Sequence, residues 1–289
     1  VRVMTPDAER HGPSVAAARA AGVEVIEGDI RDAAMMARAV ERQQVVFHLA
    51  GQSGAVRSME TPAADLDVNA GGSLVLLESL KARNREARVV FVGSRLEYGE
   101  ATEATVAEGH PAEPLCIYGI HKLVVEHYLR LYRRLYGMPS VVARVTNPYG
   151  PGQPSHRTAY GIVNRLVHLA LNDEVLTIYG DGSQRRDYIY VEDTVDALLA
   201  CGVAPEADGR VYNVGTGVGT RMIDLARTIV RLAGRGRVES VAWPDLAGRI
   251  ETGDFVADVS RIGTELGWRP TVALEEGLER TIAGSRGHA

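Results

Sequence analysis

Short valine-rich runs alternate with helix-patterned segments along most of this chain, and that alternation limits its fold more than any other feature. Val1–Met4, Val23–Ile26, Val45–Gly51, Arg88–Val92, Ser140–Val145 and Val211–Val214 read as strands, while Val15–Ala21, Leu74–Leu80 and Leu123–Tyr136 read as helices. Such alternation argues for an α/β fold, a doubly wound parallel sheet of Rossmann type. Open sheets of this kind place their chemistry at the C-terminal ends of the strands. Here those ends run into Ala50-Gly51, Gly93-Ser94 and Asn147.

Tyr118-Gly119-Ile120-His121-Lys122 leads into one of the helical runs. Positions four apart share a helix face, which puts Lys122 beside the Tyr118 phenol. An ammonium there favours the phenolate, so the spacing predicts a Tyr118 pKa pulled down from roughly 10 toward working pH. Tyr118 then serves as a general base. A Tyr-x-x-x-Lys pair alone is more often surface decoration, but Ser94 about one strand-loop unit earlier adds a hydroxyl at a strand end.

Composition narrows the partners. A net charge of −5 spread without long runs leaves no footprint for nucleic acid or an anionic membrane, and points to a small molecule. Cys116 and Cys201 form neither a disulfide framework nor a metal cluster, and both read as reduced thiols of a cytosolic protein. Cys116 reads as a small packed side chain, and His48 as a satisfied core histidine. No apolar run reaches the roughly 18 residues of a membrane span.

Taken in order, several motifs resemble the extended short-chain dehydrogenases/reductases, in the NAD-dependent nucleotide-sugar epimerase/dehydratase group that includes UDP-glucose 4-epimerase. They are Gly28-Asp29-Ile30, His48-Leu49-Ala50-Gly51, Asn69, Ser94 with Tyr98-Gly99, Tyr118-x-x-x-Lys122, Arg144 to Gly152 and Gly180 to Tyr188. The resemblance implies residues 1–149 as a dinucleotide-binding domain, and 150–289 as a smaller, mainly substrate-binding domain interleaved with it. It implies bound NAD, contacted by Asp29, Ile30, Leu49, Ala50, Gly51, Asn69, Val92, Tyr118, Lys122 and Val145. Asn69 is also expected to cap the helix that follows it. NADP stays open, because Thr5 and Asp7 stand where an acid would read the ribose, and Arg10 is near enough to meet a 2′-phosphate.

The implied substrate is a nucleotide sugar held by Ser94, Asn147, Tyr179, Arg186 and Arg249, with no metal. For Arg186, a salt bridge to Asp187 or Asp193 is the plain structural alternative. The family often carries a second phosphate-gripping arginine three residues before an aspartate. From Asp254 that spacing lands on Glu251, so the role is moved to Arg249. A homodimer through the helices near Leu74–Leu80 and Lys122–Tyr136 is implied as well. Family members begin one unit earlier, with a strand and a glycine-rich turn, so about 25–30 residues of a native chain are expected to precede Val1. Gly215 to Thr220 imitates such a turn with the wrong spacing, and reads as a loop of the substrate region with Thr220 capping a helix from Arg221.

The resemblance also implies an opening step: the tyrosinate removes a sugar hydroxyl proton, the serine holds that oxygen, and hydride passes to the nicotinamide. Dehydratases and decarboxylases of the family carry an acid one or two places after the serine or threonine, where this chain has Arg95 and Leu96. Glu97 comes one position late, and on extended backbone it would point to the other face. The simplest reading is a nucleotide-sugar 4-epimerase working through a 4-ketosugar. A ketosugar reductase, a 4,6-dehydratase and a non-catalytic nucleotide-sugar or dinucleotide-binding protein stay open beside it.

Overall fold

Each valine-rich run is a strand in the structure, a computed structural model that describes residues 1–9, 12–153 and 161–286. In chain order the strands are β1 (Arg2–Thr5), β2 (Glu24–Glu27), β3 (Val45–His48), β4 (Arg88–Ser94), β5 (Ser140–Val145) and β6 (Asn147–Tyr149). Then come β7 (Val175–Tyr179), β8 (Arg185–Tyr190), β9 (Val211–Val214), β10 (Gly219–Arg221) and β11 (Arg237–Val241).

The central sheet runs β3-β4-β5-β9, all parallel, with Ser94 opposite Val145 and Val145 opposite Val214. β1 and β2 pair in parallel as a separate sheet, as do β7 and β11, while β10-β8-β6 forms a mixed one.

Side-chain alternation shows why the central strands are apolar throughout. Val89, Phe91 and Val142 pack on one face against Leu76, Leu80 and Leu129, whereas Val90, Val141 and Ala143 pack on the other against Ala197, Leu198 and Ile262. Successive residues of a strand point to opposite faces, so a sheet covered by helices on both sides needs an apolar residue at nearly every position. A further core joins Tyr149, Leu166, Tyr190, Leu225 and Leu278 within the later part of the chain. The doubly wound α/β architecture is therefore as the alternation predicts.

The helix Ile117–Tyr136 is the element that presents Tyr118 and Lys122. Cys116 precedes it in extended geometry, and its sulfur accepts from the Gly119 N–H at 3.4 Å, so this buried thiol is a cap as well as a packed side chain. Gly137 ends the helix in the left-handed conformation, φ 68°, that glycine adopts without steric cost. Two capping expectations fail. Asn69 lies inside a π-helical turn, Leu66–Gly71, that runs on into the helix Gly72–Arg83, so it has no free helix end to cap. Thr220 lies in β10 opposite Arg186, and the next helix, Met222–Ala233, begins after Arg221 with no side-chain cap. Arg10 lies outside the described residues.

Gly119 sets how closely this helix meets the end of β4. A Cβ there would run into the Leu96 carbonyl oxygen and approach Pro114 Cβ at 2.9 Å. Backbone cannot yield as a flexible side chain does, so Gly119→Ala should push Tyr118 away from Ser94. We expect about 1–3 kcal/mol of lost stability together with a fall in kcat, read by denaturant unfolding and steady-state kinetics. Unchanged values for both would contradict this account of the contact.

Candidate active site

Ser94 ends β4 and caps the 3-10 turn Arg95–Glu97. Its Oγ accepts from the Leu96 N–H at 3.2 Å, and the Glu97 carboxylate accepts from the Ser94 N–H at 2.6 Å. This reciprocal box fixes the hydroxyl at the strand end. The same turn directs Glu97 into the core instead of leaving it on extended backbone. There Glu97 is fully buried, and Arg144 lies 3.2 Å from its carboxylate while also pairing with Glu126 at 2.8 Å. Burial pushes the Glu97 carboxyl well up, with the Glu126 charge adding to the shift and Arg144 opposing it.

Tyr118 stands in the first turn of Ile117–Tyr136, where its N–H donates to Ser58 Oγ at 3.0 Å. Its side chain and that of Ser94 line the same cavity. Lys122 shares that helix face, with Nζ 5.6 Å from the Tyr118 ring centroid, but Nζ donates to the Val92 carbonyl at 2.8 Å and lies 4.7 Å from the Phe91 ring centroid. The expected acidified tyrosine is thus corrected. Burial pushes the Tyr118 phenol up, with the Glu97 charge next, and burial pushes Lys122 down to about 8. Spacing brings the two side chains to one face, but desolvation disfavours the charged form of each.

Beyond β3 the chain forms an exposed loop, Leu49, Ala50 and Gly51. Asn69 holds it through both functions of its amide: Oδ1 accepts from the Gln52 N–H at 2.8 Å, and Nδ2 donates to the Gln52 carbonyl at 2.9 Å. A Cβ on Gly51 would meet Asn69 Oδ1 at 2.6 Å and Lys122 Nζ at 3.8 Å, so glycine keeps open a space beside the lysine. His48 is the core histidine expected, 2.7 Å from Ser73 Oγ and pushed down to about 3 by burial. Farther off, Asp29 pairs with Arg31 at 2.6 Å, which holds its carboxyl at about 2, and Ile30 packs in the core beside Leu76.

Val92, Ser94, Tyr118, Val145, Asn147, Tyr179 and Arg186 all line one cavity of about 490 Å³. Arg249 does not join them. It lies on the short helix Asp245–Arg249, where it pairs with Asp245 at 3.2 Å and is largely exposed. In its place Glu251 lines the cavity and bonds to Arg186, so the arginine's carboxylate partner is neither Asp187 nor Asp193. Burial, then the neighbouring Arg95 charge, pushes Arg186 down to about 9.

Among the lining groups that spacing and periodicity missed, Trp243 packs against Tyr179 with ring centroids 5.3 Å apart and planes tilted by 47°, Gln184 precedes β8, and Arg95 reaches across to Asn147 and Thr252. Arg95 alone had a sequence signal, as a cation directly after the serine.

The glycine loop at 215–219 is occupied internally. The Asp187 carboxylate accepts from the N–H groups of Thr216, Gly217 and Ala257 at 2.8, 3.0 and 3.2 Å. Those donors are therefore committed to an internal anion instead of a pyrophosphate, in keeping with the expected loop of the substrate region. Among the described residues no group of acids, histidines and cysteines could hold a metal ion, and no helix is long and apolar enough to cross a membrane.

The sequence matches the NAD dependent epimerase/dehydratase family over residues 2–215. The chain belongs to that family. It is 34% identical over 260 residues to a UDP-glucose 4-epimerase of Mycolicibacterium smegmatis, covering 90% of this chain and 82% of that one. A dTDP-glucose 4,6-dehydratase of Xanthomonas campestris pv. campestris is 28% identical over 277 residues, covering 89% and 77%. A solved UDP-glucose 4-epimerase of Thermus thermophilus, in complex with NAD, superposes with TM-score 0.86 at 28% identity and covers all of both chains. NAD is the cofactor of the family, and both epimerases and dehydratases stand among the relatives.

The buried lysine carries a stability cost. An unfolded chain holds this proton to roughly pH 10.4, whereas the folded one releases it near 8. Between those values the unfolded state binds more protons, so stability rises with pH through that window, and the full penalty applies below it. Lys122→Met should therefore raise the cofactor-free unfolding free energy at pH 7, by at most about 3 kcal/mol from the size of the shift, and narrow its gap to wild type as pH approaches 10. A destabilised Lys122→Met at pH 7 would contradict the burial account.

Proposed function

We propose that this protein is a nucleotide-sugar 4-epimerase with bound NAD. The observation that carries the reading is the lack of an acid facing the cavity in the turn after Ser94. Arg95 and Leu96 both line the cavity, and neither can exchange protons with sugar carbons at neutral pH. Glu97, the acid nearest to them in sequence, is held in the core by Arg144 and the Ser94 N–H. A dehydration needs a proton removed at C5 and another delivered to a leaving hydroxyl. An epimerisation at C4 needs only one base that takes a hydroxyl proton and gives it back.

The site fits NAD at its nicotinamide-ribose end. Lys122 is a buried ammonium whose hydrogen-bond partner is the neutral Val92 carbonyl, and the missing Cβ of Gly51 leaves room beside it for a ribose. In this reading Asn69, Ala50 and Leu49 shape the loop around that ribose, Val92 and Val145 face the ring, and Asp29 with Ile30 meets the adenine. When bound, NAD supplies the hydride acceptor and donor at C4.

The chain's own residues perform the proton chemistry. Ser94 holds the C4 oxygen by hydrogen bond, and Tyr118, which lines the same cavity, takes the hydroxyl proton as the carbonyl forms. To accept that proton Tyr118 must first be a phenolate, its own proton released to solvent; burial raises the cost of that ionisation, and the Lys122 ammonium on the same helix face opposes it. Tyr118 then returns the proton once the sugar presents its other face. Asn147, Tyr179 and Arg186 hold the nucleotide-diphosphate part of the substrate, where a planar guanidinium suits a phosphate.

Incubation with UDP-glucose, UDP-N-acetylglucosamine and dTDP-glucose should yield the C4 epimer of at least one, with no net change in nicotinamide absorbance. Tyr118→Phe should lower kcat by about 10²-fold or more while NAD still binds. A 4-keto-6-deoxy product would mean dehydration, stoichiometric loss of reduced nicotinamide would mean a reductase, and a near-normal Tyr118→Phe rate would remove Tyr118 from the mechanism.

A further inference from the structure

Arg95 is a charged side chain in the reaction cavity with no charged partner. Its Nε donates to Asn147 Oδ1 at 3.3 Å, one terminal nitrogen donates to Thr252 Oγ1 at 2.9 Å, and its guanidinium lies 5.8 Å from the Phe255 ring centroid. All of these are neutral. Two nearby acids are committed elsewhere: Asp187 to the N–H groups of Thr216, Gly217 and Ala257, and Glu251 to Arg186. Among the described residues no carboxylate lies within ion-pair reach of Arg95. Burial pushes its pKa down to about 10, which leaves it charged at neutral pH.

Arg95 is half-buried, and a cation partly withdrawn from water without a counter-charge is costly, a cost of which a neutral hexose returns little. An anionic oxygen does, through charge-assisted and often paired hydrogen bonds to the planar guanidinium. Arg95 follows Ser94 and bonds to Asn147 and to Thr252, and Thr252 lies between Glu251 and Gly253, both of which bond to Arg186. Its donors therefore reach the middle of the cavity, between the reacting carbon and the Arg186 end. We propose that Arg95 is a specificity-determining residue that binds an anionic oxygen group of the substrate. The proposal rests on the nucleotide-sugar reading, and such a molecule offers two groups of that chemistry: its diphosphate, or a carboxylate carried by the sugar.

The test is calorimetric titration of the full, NAD-loaded chain with uridine, UDP, UDP-glucose and UDP-glucuronate, and with dTDP as the second nucleotide. Wild type is compared with Arg95→Gln, with Arg95→Met, which keeps the alkyl stem packed on Phe255, and with the charge-retaining Arg95→Lys. The neutral variants should lose about tenfold or more in affinity for an anionic ligand relative to uridine, and Arg95→Lys should recover much of it. A loss shared by UDP, dTDP and both UDP-sugars assigns the diphosphate, while a loss confined to UDP-glucuronate assigns the sugar carboxylate. Unchanged affinities in both neutral variants, a loss no larger than that for uridine, or no binding of any nucleotide would overturn the proposal. A chain that shows the Arg95-dependent pattern yet epimerises no sugar would refute the epimerase reading alone.

Discussion

The arrangement of this site depends on one desolvated ammonium. Lys122 is enclosed by the Val92 carbonyl and the Phe91 face, both supplied by β4, while the helix that carries it is brought against the end of that strand by Gly119. Strand and helix thus fix three groups together: Ser94 at the strand end, Tyr118 one turn before the lysine, and the lysine itself. Moving any one of these backbones disturbs all three. The penalty for the buried charge is the price of that geometry, and only a site used for chemistry has reason to retain it.

A second buried charge system lies directly beneath. Glu97 and Glu126 converge on Arg144, and the Arg144 guanidinium lies 4.5 Å from the Tyr98 ring centroid. Through its bond to the Ser94 N–H, Glu97 ties this cluster to the end of β4, so an acid near the site acts as a brace. The 3-10 turn Arg95–Glu97 rotates position 97 inward.

Much of this was legible from periodicity. Alternating valine runs identify the sheet because its two-sided burial leaves a local imprint, and Tyr118, Lys122 and Ser94 come together because strand ends and helix faces follow from spacing. The misreadings share a cause. Spacing placed Lys122 beside Tyr118, but the pKa shifts depend on how much water the finished fold removes. Arg249 fits a phosphate grip by distance along the chain, yet its own helix offers Asp245 four residues earlier, and the pair stays at the surface. Asn69 reads as a cap only if a regular helix begins after it, and the π-helical turn removes that helix end. Arg95 was visible only as a non-acid where an acid was sought, since neither Thr252 nor Asn147 is local to it.

The most direct test of the epimerase account is turnover of the accepted nucleotide sugar in deuterium oxide, with product and recovered substrate analysed by mass and NMR. Because the hydrogen leaving C4 returns within the site, and the turn after Ser94 presents no acid to the cavity to exchange protons on carbon, the account predicts an inverted C4 centre with no carbon-bound deuterium. Deuterium at C5 would show that a carbon-bound proton is removed there, as dehydration requires, and would contradict it.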